Sequence, residues 1–279
     1  MYINLFDSHV HSDNSPEGRD LVTALCSAAV DKGISGICIT DACDMEEFEE
    51  QKYGKRLMYS CFAAHKAQDI FSQQLIVTNG VEMCQPLADP DRAVQVIGEN
   101  RFDFVLGSLH KTRKYGDMMM LNYAHPALDL QDVFRSYYEE LLEVVQWGHF
   151  DSLAHLTYPL RYFEGQHGVL VDLSRFSGLI DAILSEVIIR GRSLEVNSSG
   201  WRQGMGGPLP GRELLERYRK LGGWRITLGS DAHRTADLAA DFVQTRRLLQ
   251  ELGFAGACHY RAREPIFLPF SAEILPRVI

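Results

Sequence analysis

Seven short apolar or β-branched runs, each ending near a polar residue, recur along this 279-residue chain. They cover residues 3–11, 34–41, 75–83, 102–110, 150–156, 193–200 and 225–233. Their hydrophobicity is continuous rather than alternating, which is typical of parallel strands buried on both faces. Stretches with helical character lie between them, such as 21–33, 129–148, 173–191 and 211–223. Several of these stretches end in Lys or Arg followed by Gly, which indicates the end of a helix. Seven β/α units in one undivided chain predict an α/β barrel.

The polar residues at the ends of these runs indicate where a functional site lies. In (β/α) barrels the active site is built at the C-terminal ends of the strands. Here those ends carry His9, His11, Asp41, Glu82, His110, His155, Glu195, Asn197, Asp231 and His233. Imidazoles and carboxylates together suit zinc, iron or manganese, and a carboxylate with two oxygens can bridge a pair of ions.

Each of these residues also has a structural interpretation. His9 and His11 are two residues apart on a strand and share a face, but such a pair alone is equally compatible with a solvent-facing role. A second same-face pair, Asp231 and His233, follows another strand. The combined set therefore favours metal ligands. The remaining histidines are predicted to be structural or surface residues, namely His65, His125, His149, His167 and His259.

Composition limits the partners and the location. A net charge of −9 argues against a nucleic-acid interface, because binding a phosphate backbone needs a cationic surface. No apolar run approaches the roughly 18 residues of a membrane span, and the first residues lack a secretory signal, so we expect a cytoplasmic protein without a membrane partner. Six cysteines without a C-x-x-C pair are predicted to be free thiols. No linker divides the chain, and a single domain over residues 1–279 is expected; the oligomeric state is left open.

Six motifs resemble, in order and spacing, those of the polymerase and histidinol phosphatase (PHP) superfamily, and most closely its histidinol-phosphatase branch. They are DSHVHSDNSPEG, GVEM, GSLHK, FDSLAHLTYPLRYF, LEVNSSGWR and TLGSDAHR. The resemblance spans nearly the whole chain. It implies a distorted (β/α)7 TIM-like barrel, two to three divalent ions (Zn, Fe or Mn) and hydrolysis of a small phosphorylated substrate.

The resemblance also implies which residues hold the metals. The first ion is expected on His9, His11, Glu82 and Asp231, and Glu82 bridges to a second ion completed by His110 and His155. A third ion is held in the family by residues that correspond to Glu17, Ala42 and His233. Because Ala42 cannot bind a metal, we expect a weak third ion on Glu17 and His233 with water or substrate oxygens. The alternatives are recruitment of Asp41, Cys43 or Asp44, and an empty site.

The expected reaction is hydrolysis of L-histidinol phosphate to L-histidinol and phosphate in histidine biosynthesis, by a hydroxide that bridges the metals. The predicted catalytic residues are Glu82, which holds the hydroxide, Asp231 as a proton shuttle, and His233 and Arg161 at the phosphoryl oxygens. The predicted substrate-binding residues are Arg161, Tyr162, Asn197, Arg202 and Arg234, since arginine binds phosphate bidentately. Candidates for contacts to the imidazole and amine of histidinol are Glu17, Asp44, Tyr162, Glu164 and Asn197.

Other functions are compatible with the same residues. One alternative is a PHP phosphoesterase acting on another small phosphate, because fold and metals do not determine the substrate. Another is a metal-binding protein that has lost catalysis, for which Ala42 is the one observation. A nuclease or proofreading role is weaker, given the acidic charge.

Overall fold

The computed structural model describes residues 3–123, 125 and 127–270, and a barrel of parallel strands forms its centre. The strands are Ile3–Val10 (β1), Ile34–Ile39 (β2), Ala42–Asp44 (β3), Ile76–Cys84 (β4), Phe104–Ser108 (β5), Lys111–Thr112 (β6), Gly116–Asp117 (β7), Ser152–Leu153 (β8), Ser193–Asn197 (β9), Ile226–Gly229 (β10), Gly256–Arg261 (β11) and Glu264–Pro269 (β12). Seven of them pair in parallel in the order β1, β2, β4, β5, β8, β9 and β10. A parallel β-bridge between Val10 and Ala232 joins the end of β1 to the segment that follows β10. The predicted distorted (β/α)7 barrel is confirmed.

Helices surround the barrel. They are Val22–Lys32 (α1), Tyr53–Phe71 (α2), Pro90–Asn100 (α3), Leu130–Trp147 (α4), Ser177–Ile189 (α5), Ser199–Arg202 (α6), Arg212–Lys220 (α7) and Phe242–Glu251 (α8). Helix α4 illustrates their physical basis: the Asp129 carboxylate accepts hydrogen bonds from the backbone at its start, and Gly148 ends it with φ of 72°, which glycine adopts without steric cost. The predicted helix over 173–191 begins as a 3-10 turn before α5. Helices α2, α3, α6 and α8 lie outside the helical stretches named from the sequence, and α6 begins within the predicted strand run 193–200.

Five of the predicted runs end as strand two to four residues early, at residues 39, 108, 153, 197 and 229. In two of them, the backbone of the ligand-bearing segment leaves the sheet and donates to a side chain. The run 150–156 is strand only in β8, since the backbone N–H of His155 donates to Glu195 Oε2 at 2.8 Å instead of to a neighbouring strand. The run 102–110 is strand only in β5, and the backbone N–H of His110 donates to Gln85 Oε1 at 3.0 Å. Both histidines therefore stand in loops directly after their strands.

A hairpin formed by β11 and β12 covers the N-terminal end of the barrel. The Tyr260 ring stacks on Phe104 with 5.0 Å between centroids, and the His259 ring stacks on Phe6 at 4.4 Å. The Tyr260 hydroxyl lies 2.8 Å from Ser193 Oγ. Since Phe104 and Ser193 begin their strands, the hairpin fills the end of the barrel opposite to the predicted site.

The cysteines and helices bear on two further expectations. All six cysteines are free thiols, as predicted, and only Cys61 among them is partly exposed. Within the described part of the chain, no helix combines the length and the apolar character needed to cross a bilayer. The cytoplasmic location stays a prediction.

Candidate metal centre

The C-terminal ends of the strands bring two groups of potential ligands together. His9, His11 and Asp231 form one group, and Glu82, His110 and His155 form the other. Within each group, the candidate ligand atoms lie within 4.8 Å of one another. They come from the ends of five different barrel strands, β1, β4, β5, β8 and β10. The clustering predicted from the sequence is therefore present.

Glu82 stands between the two groups and presents one carboxylate oxygen to each. Its Oε2 lies 3.6 Å from the Nε2 atoms of both His9 and His11. Its Oε1 lies 3.2 Å from His110 Nε2 and 3.1 Å from His155 Nε2. A carboxylate in this position suits a bridge between two ions.

Electrostatics keep the carboxylates of the centre ionised. Burial opposes ionisation of Glu82, but the charges of His110 and His9 outweigh it and hold the pKa of Glu82 well below its usual range. Burial likewise opposes ionisation of Asp231, yet His9, hydrogen bonds from His11 and His233, and the nearby guanidinium of Arg161 hold its pKa well below the ordinary value. Two buried anions among imidazoles are an environment that stabilises a cation.

The ring nitrogens of the H-x-H pair fit a bound cation. His9 Nδ1 lies 2.7 Å from Glu195 Oε1, so this nitrogen donates, and in the neutral ring that binds a metal Nε2 carries the lone pair. That Nε2 lies 3.0 Å from His11 Nε2 and 3.8 Å from Asp231 Oδ1. With neutral rings, these converging lone pairs and carboxylate oxygens would repel one another unless a cation lay between them. The residues of both groups therefore fit a pair of divalent ions.

Asp231 has an unusual backbone. Its φ of 55° lies in the left-handed region, which Asp tolerates better than most residues although it costs free energy. Asp231 follows β10, and its backbone N–H donates to the carbonyl of His9 at 2.9 Å. This local turn directs the carboxylate toward His9 and His11. Backbone strain of this kind is concentrated at functional sites.

Two buried carboxylates, Asp41 and Glu195, lie behind the ligand groups. Asp41 accepts hydrogen bonds from the hydroxyls of Ser12, Ser15 and Ser60 at 2.6, 2.9 and 2.5 Å. Ser15 Oγ in turn lies 3.1 Å from His11 Nδ1, so Asp41 supports His11 indirectly. Glu195 contacts His9 directly. The sequence placed both acids at the correct end of the barrel but did not distinguish them from ligands.

The position expected for a third ion differs from the two ligand groups. Glu17, Ala42 and His233 all line the same cleft, yet in the described residues only the two groups above bring three ligand atoms within 4.8 Å. The neighbours of Ala42 do not replace its missing imidazole. The Asp41 carboxylate accepts hydrogen bonds from three serines. Cys43 is fully buried, and Asp44 Oδ2 lies 3.1 Å from Lys111 Nζ. The described residues do not form a third complete ligand set, and the weak third ion stays a prediction.

A cleft of about 430 Å³ opens over both groups. Arg161 and Tyr162 line it, as does Tyr158, which the sequence reasoning missed. The Tyr158 ring packs on His110 with 4.5 Å between centroids and also lies 4.5 Å from the Arg161 guanidinium carbon. Arg161 Nη2 donates to Asp231 Oδ2 at 3.1 Å. Tyr158 therefore holds the arginine beside the ligand groups.

Three other predicted substrate residues are placed differently. Asn197 is fully buried and its Nδ2 lies 3.4 Å from Asp231 Oδ2. Arg202 donates to the backbone carbonyl of Asp231 at 2.9 Å. Arg234 donates to Asp237 at 2.8 Å and is largely exposed. None of these three lines the cleft, and a direct contact with substrate stays a prediction for each.

Acidic side chains are frequent in the lining of the cleft. Outside the two ligand groups, Glu17, Asp44, Glu47 and Asp117 line it. Lys111 also lines it, and its Nζ lies 3.1 Å from Asp44 Oδ2 and 2.5 Å from Glu47 Oε1. These four carboxylates outnumber the two cationic side chains of the lining, Lys111 and Arg161.

The five histidines expected to be structural or at the surface lie outside both ligand groups. His65, His125, His149 and His167 are exposed. His259 is buried beneath the barrel, where burial and the charge of Arg261 lower its pKa to about 4.

The closed barrel and its two converging ligand groups define a metal-binding (β/α) barrel. The sequence model of the PHP domain matches residues 7–199, which is more than half of the chain. The chain belongs to the PHP domain family.

Similar proteins extend the comparison over most of the chain. A probable histidinol-phosphatase from Thermotoga maritima is 26% identical over 256 residues, covering 90% of this chain and 93% of the relative. A histidinol-phosphatase from Lactococcus lactis is 27% identical over 260 residues, covering 89% of this chain and 91% of the relative. The crystal structure of the histidinol phosphate phosphatase from Lactococcus lactis, complexed with zinc, L-histidinol and phosphate, matches with a TM-score of 0.75 at 21% identity and covers 94% of this chain and 99% of that chain. This structural likeness supports the barrel fold.

Proposed function

We propose that residues 1–279 form a single metal-dependent phosphomonoesterase domain that hydrolyses L-histidinol phosphate to L-histidinol and phosphate. The observation that carries the phosphatase assignment is the Glu82 carboxylate, shared between two groups of ligands beside Arg161. The relatives named histidinol-phosphatase, which align over about nine tenths of the chain, support the substrate.

Two divalent ions (Zn, Fe or Mn) would be held here, one by each group of ligands, and Glu82 would contribute an oxygen to each. When bound, such ions lower the pKa of a water and neutralise charge on the phosphoryl oxygens. No side-chain nucleophile is then required. The protein holds the ligands in place, keeps Glu82 and Asp231 ionised, and positions the phosphate.

Arg161 is proposed to orient the phosphoryl group. Its side chain is mostly buried, and its Nη2 is fixed by Asp231 Oδ2 at 3.1 Å and lies 3.4 Å from Ser199 Oγ. The Tyr158 ring supports the guanidinium from one face. A planar fork of donors held in this way suits the oxygens of a phosphate and its transition state.

His233 is proposed to deliver the proton to the leaving oxygen of the alcohol. Its imidazole lines the cleft, is 38% exposed, and lies 3.4 Å from Asp231 Oδ1. Because the pKa of Asp231 is held well below its usual range, Asp231 serves better as an acceptor that orients His233 than as the acid itself. Imidazole is the side chain that most often transfers protons near neutral pH.

The polarity of the cleft favours a phosphate ester with a cationic tail. In this proposal the phosphoryl end binds beside the two ligand groups and Arg161, and the amine and imidazole of histidinol bind near the carboxylates of Glu17, Asp44 and Glu47, which also line the cleft. An uncharged alcohol would gain less from these carboxylates. The alternative, a phosphatase for another small phosphate, predicts no preference for a cationic leaving alcohol.

A substrate panel tests the assignment. The zinc-, manganese- or iron-loaded protein is assayed with L-histidinol phosphate, uncharged alkyl phosphates of similar size and 4-nitrophenyl phosphate. We expect kcat/KM for L-histidinol phosphate to exceed that of the uncharged phosphates by about 100-fold, the scale of a few specific polar contacts. Faster cleavage of another phosphate supports the alternative substrate class. Absence of cleavage of every ester, with both metals bound, supports a metal-binding protein without catalysis.

A variant at the shared carboxylate tests the proposed mechanism. Glu82→Gln removes one of the two oxygens that face the ligand groups. We expect turnover to fall below detection at saturating zinc. Normal turnover of the folded variant would contradict the shared-carboxylate arrangement.

A further inference from the structure

One buried carboxylate reaches residues of both ligand groups. Glu195 lies in the middle of β9 and is fully buried. Its Oε1 accepts a hydrogen bond from His9 Nδ1 at 2.7 Å, and its Oε2 accepts one from the backbone N–H of His155 at 2.8 Å. Asn197 Nδ2 lies 3.2 Å from the same Oε2. Each oxygen of Glu195 therefore supports a different ligand group.

The contact to His9 fixes the chemical form of that ring. A neutral histidine that donates through Nδ1 to a carboxylate has no proton on Nε2, and this is the tautomer that binds a metal through Nε2. The carboxylate also makes the imidazole a stronger ligand. His9 Nε2 is the atom that faces His11 and Asp231.

The contact to His155 acts through the backbone. A histidine that binds a metal usually donates its second ring nitrogen to a neighbouring acceptor, but His155 Nδ1 is buried without a hydrogen-bond partner among the described residues. The orientation of the His155 ring therefore depends on the position of its backbone, which is fixed by the hydrogen bond from the His155 N–H to Glu195. This bond also ends β8 and sets the position from which the side chain leaves the sheet.

The neighbouring strand leaves space for this arrangement. A Cβ atom on Gly229 of β10 would overlap the Glu195 carboxylate and lie 2.6 Å from His9 Cβ. Only glycine at this position allows Glu195 to approach His9.

We propose that Glu195 is a positioning residue for both metal sites, holding His9 through its ring and His155 through its backbone. The inference rests on the proposed metal centre but not on the identity of the substrate. Loss of Glu195 is expected to weaken both ions together, although Glu195 itself is not a ligand.

Zinc binding of Glu195→Gln tests this proposal. The glutamine amide has one acceptor oxygen, whereas donors approach Glu195 from both sides, so at least one of the two hydrogen bonds is lost and the negative charge disappears from both. Metal-free protein is dialysed against a series of buffered free Zn²⁺ concentrations, and bound zinc is counted per folded molecule. We expect both equivalents to require about 10- to 100-fold more free Zn²⁺ than in the unsubstituted protein. A change below about twofold for either ion overturns the proposal.

Asp151→Asn is the matched control. Asp151 is an equally buried carboxylate that accepts a backbone N–H, that of Val105 at 2.9 Å, and it pairs with Arg263. It lies at the opposite end of the barrel. Its substitution is expected to lower the melting temperature and to leave zinc binding per folded molecule unchanged. If Glu195→Gln behaves in the same way, Glu195 is merely structural and the proposal fails.

A measurement on the unsubstituted protein keeps the proposal testable if the variant does not fold. In the zinc-loaded protein, nitrogen-15 NMR of the imidazoles distinguishes a ring protonated on Nδ1 from one protonated on Nε2. We expect His9 to carry its proton on Nδ1, with zinc on Nε2. Zinc on His9 Nδ1 overturns the proposal. Neither the zinc titration nor the NMR spectrum depends on phosphatase activity, so failure of the substrate panel would be seen separately.

Discussion

Replacing His259 with Phe is expected to make the protein more resistant to acid. His259 stacks on Phe6 beneath the barrel, is 4% exposed, and its Nδ1 has no hydrogen-bond partner in the described structure. Burial, reinforced by the charge of Arg261, lowers its pKa to about 4, against about 6.5 in the unfolded chain. The unfolded chain therefore binds a proton between these two pH values and the folded protein does not. Stability from the neutral ring is complete above pH 6.5 and is lost as the pH falls toward 4.

The linkage relation gives the size of the effect. With these pKa values, protonation of the unfolded chain lowers the free energy of unfolding by about 2 kcal/mol at pH 5 and about 3 kcal/mol at pH 4, and by almost nothing at pH 7.5. Phenylalanine keeps the stacked ring and removes the titration. The free energy of unfolding of His259→Phe, relative to the unsubstituted protein, should therefore rise by about 2 kcal/mol between pH 7.5 and pH 5.

Urea unfolding at both pH values, with metals removed by a chelator, measures this difference. Chelation removes the pH dependence of metal binding, and the contribution of the freed ligands cancels because both proteins share them. His65→Phe is the control, because it makes the same substitution at an imidazole that is exposed on α2 rather than buried. If the two pH values give the same relative free energy for His259→Phe within about 0.5 kcal/mol, the limit of such extrapolations, the ring is not held neutral and the reasoning is wrong.

Two further predictions concern the metal centre. Arg161→Met should lower kcat/KM for L-histidinol phosphate by about 10- to 100-fold at saturating zinc, because a hydrogen bond to a charged group contributes about 1.5–3 kcal/mol; an unchanged rate would exclude Arg161 from phosphoryl binding. Gly229→Ala should destabilise the fold by about 1–3 kcal/mol through overpacking against Glu195 and His9, as measured by urea unfolding. Its control is Gly98→Ala in α3, where an added Cβ meets nothing within 4 Å and alanine should stabilise the helix by up to about 1 kcal/mol; equal effects of the two alanines would contradict the predicted crowding.

Much of the fold follows from local sequence. Continuous apolar runs and the helices between them predicted the parallel barrel, because both signals depend on neighbouring residues. The early ends of β5 and β8 were not predictable in this way. They result from the side chains of Gln85 and Glu195, which accept hydrogen bonds from the backbone N–H groups of His110 and His155, respectively. Such bonds join residues far apart in the chain.

The candidate site, like the fold, could be predicted only in part from the sequence. The sequence placed the acids and histidines at one end of the barrel, since the C-terminal ends of parallel strands share an edge. It did not show which of them face one another. Glu82 and Glu195 both lie in strands that end at the same edge of the sheet. Glu82 faces the Nε2 atoms of four histidines, whereas Glu195 faces the Nδ1 atom of His9.

By itself, the sequence determined the class of fold, the end of the barrel that carries the site, and the residue types available there, including the absence of an imidazole at position 42. The tertiary structure decided which residues meet. It placed Glu82 between two groups, set Glu195 and Asp41 behind them, and left Ala42 beside Glu17 and His233 without a third complete ligand set. The physical reason is that periodicity fixes the face on which a side chain lies, whereas contacts between strands depend on the packing of the whole barrel.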